Sequence, residues 1–173
     1  MCFSNFLGAF HTFIYDGYGR LERDTVMETQ IDQLVDKQKI IDLTIAYTWI
    51  IDRGPREKLR EIFTEDAAFI IDIKTYNGID AIIDKIDRTL GDLSASQHII
   101  SNQQVSIEGD NATCSCYLHA QHTLHGTEGG ENYIMAGRYV DTLIRMDGEW
   151  RIAERRLMLD WTEGNLEVLS PRK

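Results

Sequence analysis

The chain has 173 residues, which is long enough for one domain with a sizeable core and too short for two ordinary domains. Its 28 acidic and 18 basic side chains give a net charge of −10, so most of its surface repels phosphate backbones and anionic membranes. No apolar run reaches the roughly 18 uninterrupted residues that a membrane span requires. Neither nucleic acids nor membranes are therefore expected as partners.

The first part of the chain has no clear period. Residues 1–25 carry Phe, Tyr and Gly at neither helical nor strand spacing, which predicts an extension over 1–27 that is loosely packed or docks on a partner subunit. No basic residue precedes its apolar stretch, and Asn5 and His11 interrupt that stretch, so a secretory signal is not expected. Three cysteines form no disulfide framework, and reduced thiols of this kind are typical of a cytoplasmic protein.

Three helices are predicted next. From Glu28 onwards, apolar residues recur at steps of three and four until Arg53-Gly54-Pro55 ends the pattern. A short second helix is predicted over 56–63, and a third helix begins after Gly78. Between the second and third helices, the apolar run 67–71 predicts a strand.

The rest of the domain is typical of antiparallel strands. One strand ends at the turn 108–111, the next follows it directly, and two long strands over about 132–146 and 150–161 meet at the hairpin signal 147–149. Helices followed by strands indicate the α+β class, with three N-terminal helices packed on a strongly bent, mostly antiparallel sheet. Such a cone-shaped barrel over 28–165, followed by a tail over 166–173, encloses a cavity that is the candidate site.

Asp52 and His98 are the residues best suited to chemistry. Asp52 lies in the last predicted turn of the first helix, where the helix dipole and an apolar setting both disfavour its charge and predict a raised pKa. His98 opens the strand region, and an imidazole near this acid would form a dyad in which one group orients and the other moves a proton. The alternative is a solvated Asp52 beside Arg53 and a structural histidine.

Three histidines at three-residue steps raise the question of a metal site. His119, His122 and His125 would share one face of a helix, which is a zinc pattern. They fall on a predicted strand, however, where period two sends His122 to the side opposite His119 and His125. No metal site is therefore expected.

Strand alternation also predicts which side chains face the core and the cavity. In the strand that carries the histidines, the alternate positions on one face are apolar, which indicates a buried face made of Ala112, Cys114, Cys116, Leu118 and Ala120. On the last strand, Arg155 shares the parity of the apolar residues and Arg156 does not. The side chains predicted to surround a ligand are Trp49, Phe69, Met135, Arg155, Leu157, Leu159 and Trp161.

Three segments resemble the SnoaL-like branch of the nuclear-transport-factor-two-like superfamily. They are Ala46-Tyr47-Thr48-Trp49-Ile50-Ile51-Asp52-Arg53-Gly54, Leu59-Arg60-Glu61-Ile62-Phe63-Thr64-Glu65-Asp66-Ala67, and the signature from Gly137-Arg138-Tyr139-Val140-Asp141-Thr142-Leu143 through Asp147-Gly148-Glu149-Trp150-Arg151-Ile152 to Arg155. The resemblance covers about 28–164. Related families include scytalone dehydratase, bile-acid dehydratase, hexachlorocyclohexane dehydrochlorinase, ketosteroid isomerase and polyketide cyclases.

The resemblance implies a cofactor-independent dehydratase, isomerase or cyclase that acts on a small hydrophobic cyclic, polyketide, terpenoid or steroid-like molecule. Several of these families use an Asp on the first helix with a His from the sheet, and Asp52 and His98 match that pair. Tyr47 resembles a tyrosine of bile-acid dehydratase, although helical spacing separates it from Asp52 by about 140°, so both would reach the cavity only if the helix end opens or bends. The strand acid and arginine of that dehydratase fall at Ala120 and Leu159, so its reaction is not expected here.

A different class of function is also compatible with the fold. The small subunits of ring-hydroxylating dioxygenases resemble it and carry no chemistry, so a binding or assembly domain is the alternative to an enzyme. In either case we expect a homo-oligomer, a dimer or trimer, because an open sheet exposes its second face and single-domain relatives usually pair that face with another subunit.

Overall fold

The computed structural model describes residues 8–170, and the chain divides into two compact units, one up to Asp36 and one from Lys37. Helix α1 spans Gly8–Arg53 and so begins well before Glu28, where the apolar period predicts its start. The sequence contains no proline before Pro55 that would interrupt a helical backbone, although the residues before Glu28 form no clear apolar stripe. Two parts of the chain lie outside the described residues: residues 1–7 of the predicted extension, including Cys2, and residues 171–173 of the predicted tail. The domain limits stay a prediction.

The end of α1 is set by Gly54. Gly54 has a φ of 63° and donates its N–H to the carbonyl of Ile50 at 2.7 Å, a left-handed helix end that favours glycine. Asp52 therefore lies in the last turn of α1, as the sequence predicts. After Pro55 comes a 3-10 helix over Arg56–Glu61, shorter than the helix predicted to Phe63.

Helix α2 spans Ile79–Leu90 and follows Gly78, whose φ of 84° marks the start predicted from the sequence. Its buried residues recur at three- and four-residue steps, and this stripe contributes one wall of the core. The buried residues are Ile79, Ile82, Ile83, Ile86 and Leu90. None of the helices within 8–170 is long and apolar enough to span a membrane.

Six strands form one sheet. They are β1 (Phe63–Ile71), β2 (Lys74–Asn77), β3 (Ala95–Glu108), β4 (Asn111–Thr123), β5 (Asn132–Met146) and β6 (Glu149–Gly164). Their order is β2-β1-β6-β5-β4-β3, and neighbours are antiparallel except β1 and β6, which run parallel. This confirms the α+β class and the mostly antiparallel sheet. The sheet is open, with β2 and β3 at its edges, and irregular register in three strand pairs marks points where bulged strands bend.

The inner face of the sheet is apolar along β4. Alternate β4 residues from Ala112 to Ala120 are at most 4% exposed, which confirms the predicted parity. Burial raises the pKa of Cys114 to about 12 and that of Cys116 to about 11, so both thiols stay protonated at neutral pH. They therefore act as small apolar core residues.

Candidate active site

The carboxylate of Asp52 joins the end of α1 to the start of β3. The Ser96 hydroxyl donates to Asp52 Oδ1 and the main-chain N–H of His98 donates to Oδ2, each at 2.7 Å. The Nδ1 atom of the His98 ring also lies 2.7 Å from Oδ1. The Asp52 and His98 side chains are only 9% and 5% exposed. The structure thus brings the two predicted residues into direct contact.

The pKa of Asp52 moves in the direction opposite to that expected from the sequence. Burial does raise it, but the hydrogen bonds and charge of His98, together with the hydrogen bond from Ser96, outweigh burial and lower the pKa below its ordinary value. Asp52 is therefore ionised at neutral pH and is a poor proton acceptor. The prediction of a raised pKa was wrong because it considered only the helix end and left out donors supplied by β3.

This arrangement fixes the His98 ring. An ionised carboxylate only accepts hydrogen bonds. In a neutral His98 the ring proton is therefore on Nδ1, and Nδ1–H donates a hydrogen bond to Asp52. The lone pair of that imidazole then resides on Nε2, and His98 lines the cavity. The pair has the geometry of an oriented base, with Asp52 as the orienting group and His98 as the group able to take up a proton.

The cavity has a volume of about 300 Å³ and is lined by α1, α2, the inner face of the sheet and a 3-10 helix over Leu166–Leu169 that follows β6. Its wall is mainly apolar, with polar side chains at a few points, which is typical of small-molecule sites. The apolar lining residues are Ile51, Phe69, Ile71, Ile86, Leu90, Met135, Leu157, Leu159, Leu166 and Leu169. The polar lining residues are Tyr47, Lys85, Thr89, His98, His122, Tyr133 and Tyr139.

Tyr47 and Asp52 reach the site in different ways. Tyr47 lines the cavity directly, whereas Asp52 is not a lining residue and contacts the lining residue His98. Their separation around α1 therefore requires no opening of the helix end. Burial raises the pKa of Tyr47, against the opposing effects of Arg155 and Tyr139, so its phenol stays protonated at neutral pH.

Most of the apolar residues predicted to contact a ligand lie in the cavity wall, but two tryptophans do not. Trp49 is 66% exposed on α1, and Trp161 is 50% exposed and packs against His119. Leu159 pairs with Gly137 and Trp161 pairs with the next β5 residue, Ala136, so one extra residue, Asp160, reverses the parity of β6. The assumption of an unbroken period of two was wrong at this bulge.

Arg155 is fully buried and does not belong to the cavity lining, contrary to its predicted ligand contact. Its guanidinium makes two hydrogen bonds to Asp141, at 2.8 and 2.6 Å. It also lies 4.0 Å from the ring centre of Tyr47 and 4.3 Å from that of Tyr139. Arg155 therefore packs against two cavity-lining tyrosines without lining the cavity itself.

His122 is a lining residue that the sequence reasoning did not include. It is 1% exposed, and its ring packs edge-on against that of His98 with the centres 5.2 Å apart. Its Nδ1 has no hydrogen-bond partner among the described residues. The signal was present in the sequence, because His122 shares the parity of Ala120 and therefore the inner face of β4.

The three spaced histidines do not converge. His119 faces away from the cavity, against Trp161, and His125 follows the end of β4 and contacts Glu131. Among the side chains that the structure describes, which are those of Met27 and of residues 29–170, no cluster of three could hold a metal ion.

His122 makes stability depend on pH in mildly acidic solution. Burial, followed by the nearby His98, lowers its pKa to about 4, although the Tyr133 main chain and Asp52 oppose this shift. Between pH 6.5 and 4 the unfolded state binds a proton that the folded state does not, so stability falls as the pH falls. We expect His122→Gln to reduce this slope by up to about 1.4 kcal/mol per pH unit in urea unfolding at several pH values. His119→Gln, on the outer face, is the control and should leave the slope unchanged.

The sequence matches the SnoaL-like domain family over residues 32–156. The uncharacterized protein Rv2910c of Mycobacterium tuberculosis is 27% identical in an alignment 130 residues long that covers 72% of this chain and 86% of that protein. A variant of Rv3472, a protein of unknown function from the same species, has 28% identity and a TM-score of 0.67, covering 75% of this chain and 74% of the other. A hexachlorocyclohexane dehydrochlorinase, LinA-type3 from Novosphingobium barchaimii, has 19% identity and a TM-score of 0.70, covering 79% and 94%. With the family match covering most of its length, this chain belongs to the SnoaL-like domain family.

Proposed function

We propose that this protein is a cofactor-independent acid–base enzyme, a lyase or isomerase, that acts on a small hydrophobic cyclic molecule. The observation that carries the proposal is the contact between Asp52 and His98 at the wall of an apolar cavity. The Ser96 hydroxyl and the His98 main-chain N–H already donate one hydrogen bond to each oxygen of this buried carboxylate. The additional contact with the His98 ring engages one ring nitrogen and leaves the other for a ligand.

In the proposed reaction, Nε2 of His98 removes a proton from a carbon next to a carbonyl or another activating group. In an elimination, the electrons of the C–H bond form a double bond, and the leaving group departs from the neighbouring carbon with its own bonding pair. In an isomerisation, the imidazolium returns the proton to a different carbon. Ionised Asp52 stabilises the imidazolium in both cases.

Tyr47 is the proposed acid or hydrogen-bond donor on the ligand oxygen. Its phenol is buried and stays protonated, and it lines the same cavity as His98. Arg155 behind the ring disfavours movement of Tyr47 and would stabilise negative charge that develops on its oxygen. The hexachlorocyclohexane dehydrochlorinase neighbour is named for an elimination reaction, which agrees with this chemistry at the level of reaction class.

Hydrogen exchange tests the proposal before the physiological substrate is known. We expect the protein to catalyse deuterium uptake at the carbon next to the carbonyl in some members of a panel of cyclic ketones and β-hydroxyketones in D₂O, measured by NMR. His98→Ala should abolish the catalysed exchange, because it removes the proton acceptor. Mass spectrometry of molecules that co-purify with the protein would guide the panel. Binding of panel members without any exchange would favour the binding-domain alternative instead.

A further inference from the structure

We propose that Lys85 makes the cavity selective for an apolar ligand that carries one anionic oxygen group, such as a carboxylate or an ionised enol. This inference deepens the proposed function and rests on it only in taking the cavity as the ligand site. It assigns the charge of the ligand, which the Asp52–His98 pair leaves open.

Lys85 enters the cavity wall from α2, on the edge of its buried stripe. Lys85 and Thr89 are one helical turn apart, both line the cavity, and the Lys85 ammonium donates to the Thr89 hydroxyl at 2.9 Å. The ammonium also lies 5.7 Å from the ring centre of Tyr76, on β2. The Thr89 hydroxyl in turn donates its proton to the Lys85 carbonyl at 2.8 Å, so it holds the ammonium in place and leaves the other ammonium protons for a ligand.

No acidic side chain of the described residues forms an ion pair with Lys85 or is among the groups that shift its pKa. Lys85 is half-buried, and this burial is the largest of the effects that lower its pKa. The nearby cations Lys74 and Arg88 lower it further. No acidic side chain is among the cavity-lining residues of the described chain, although the sequence contains 28 acidic residues. The cavity thus has a positive charge within a strongly negative protein.

Partial loss of hydration and repulsion between like charges both destabilise this ammonium. An anionic group beside the Lys85 ammonium would offset both costs and accept a charge-assisted hydrogen bond from it, whereas a neutral ligand would do neither. If the methylene stem of Lys85 merely covered Tyr76 and the ammonium pointed to water, the lysine would give no such selectivity.

Two fluorescent dyes with the same aromatic frame separate these possibilities. They are 1-anilinonaphthalene-8-sulfonate, which is an anion, and N-phenyl-1-naphthylamine, which is neutral. In fluorescence titrations at pH 7 and physiological salt, we expect Lys85→Met to weaken binding of the sulfonate by about tenfold and binding of the neutral dye by less than about twofold. Lys85→Arg keeps the charge and should retain most of the sulfonate affinity.

Arg88→Met is the matched control, because it removes one positive charge from the same helix at an exposed position outside the cavity wall. It should change neither affinity by more than about twofold. Met135→Trp narrows the cavity and should weaken both dyes. Equal losses for both dyes in Lys85→Met, no loss for either, or unchanged binding in Met135→Trp would each overturn the proposal. Because no reaction is monitored, the result does not depend on whether His98 acts as a base.

Discussion

Replacing Asp52 with Asn, or His98 with Ala, is expected to reduce turnover of a substrate by about 100-fold or more. Asn keeps the shape of the side chain, but its single oxygen can accept from only one of the two donors that bind separate Asp52 oxygens, Ser96 and the His98 main chain. It also loses the charge that stabilises the imidazolium. Ala at position 98 removes the proton acceptor itself. Steady-state kinetics on a substrate found by the exchange screen measures both losses.

The double variant is the sharper measurement. If Asp52 and His98 act as one unit, the double variant should be little slower than the slower single variant. Independent losses that multiply would contradict a dyad. Asp42→Asn, which neutralises an exposed carboxylate earlier on α1, is the matched control and should leave turnover unchanged. Nitrogen NMR of the His98 ring should also show a change in the Nδ1 signal of Asp52→Asn, which reports the lost contact without any substrate.

Asp141→Asn is expected to lower the free energy of unfolding by about 3–5 kcal/mol. Asp141 and Arg155 are both 0% exposed, so the variant would leave a buried guanidinium without its counter-charge. Burial alone would lower the pKa of Arg155, and the charge and hydrogen bonds of Asp141 instead raise it above its ordinary value. Because arginine stays protonated in proteins, Arg155 would keep its charge in the variant at a high cost. Urea unfolding at neutral pH measures the loss.

Two further variants test the cause of this loss. The pair Arg138–Asp160 also joins β5 and β6, but its side chains are 40% and 44% exposed. Asp160→Asn should therefore cost no more than about 1 kcal/mol. Replacing both buried partners, as Asp141→Leu with Arg155→Met, should recover much of the stability lost in Asp141→Asn. A double variant as unstable as the single one would show that packing, rather than an unpaired charge, causes the loss.

Strong local signals made much of the fold predictable. Gly54 and Pro55 mark the end of α1, and the Asp147-Gly148 turn, where both residues have a positive φ, marks the β5–β6 hairpin. These signals depend on backbone geometry that few other residues adopt. The start of α1 and the short strand β2 have no comparable signal, because neither a clear apolar stripe nor a turn motif defines them.

Several residues of the candidate site could be predicted from the sequence, but their protonation and orientation were harder to predict. Position in the chain suggested Asp52 and His98, but the pKa of Asp52 depends on donors more than 40 residues away, which no local pattern contains. The orientation of Trp161 depends on a one-residue bulge, whose location is a property of the assembled sheet. His122 could have been predicted as a cavity residue by applying to the cavity the same strand parity that argued against a zinc site.

One of the donors that hold the Asp52 carboxylate is the main-chain N–H of residue 98. A main-chain donor is present whichever side chain follows it, so this anchor persists through any non-proline substitution at that position. In evolutionary terms, a single codon change at residue 98 would exchange the proposed reacting group while the anchored carboxylate stays in place. Descendants of this protein could therefore explore new reactions at residue 98 without first rebuilding the charged centre behind it.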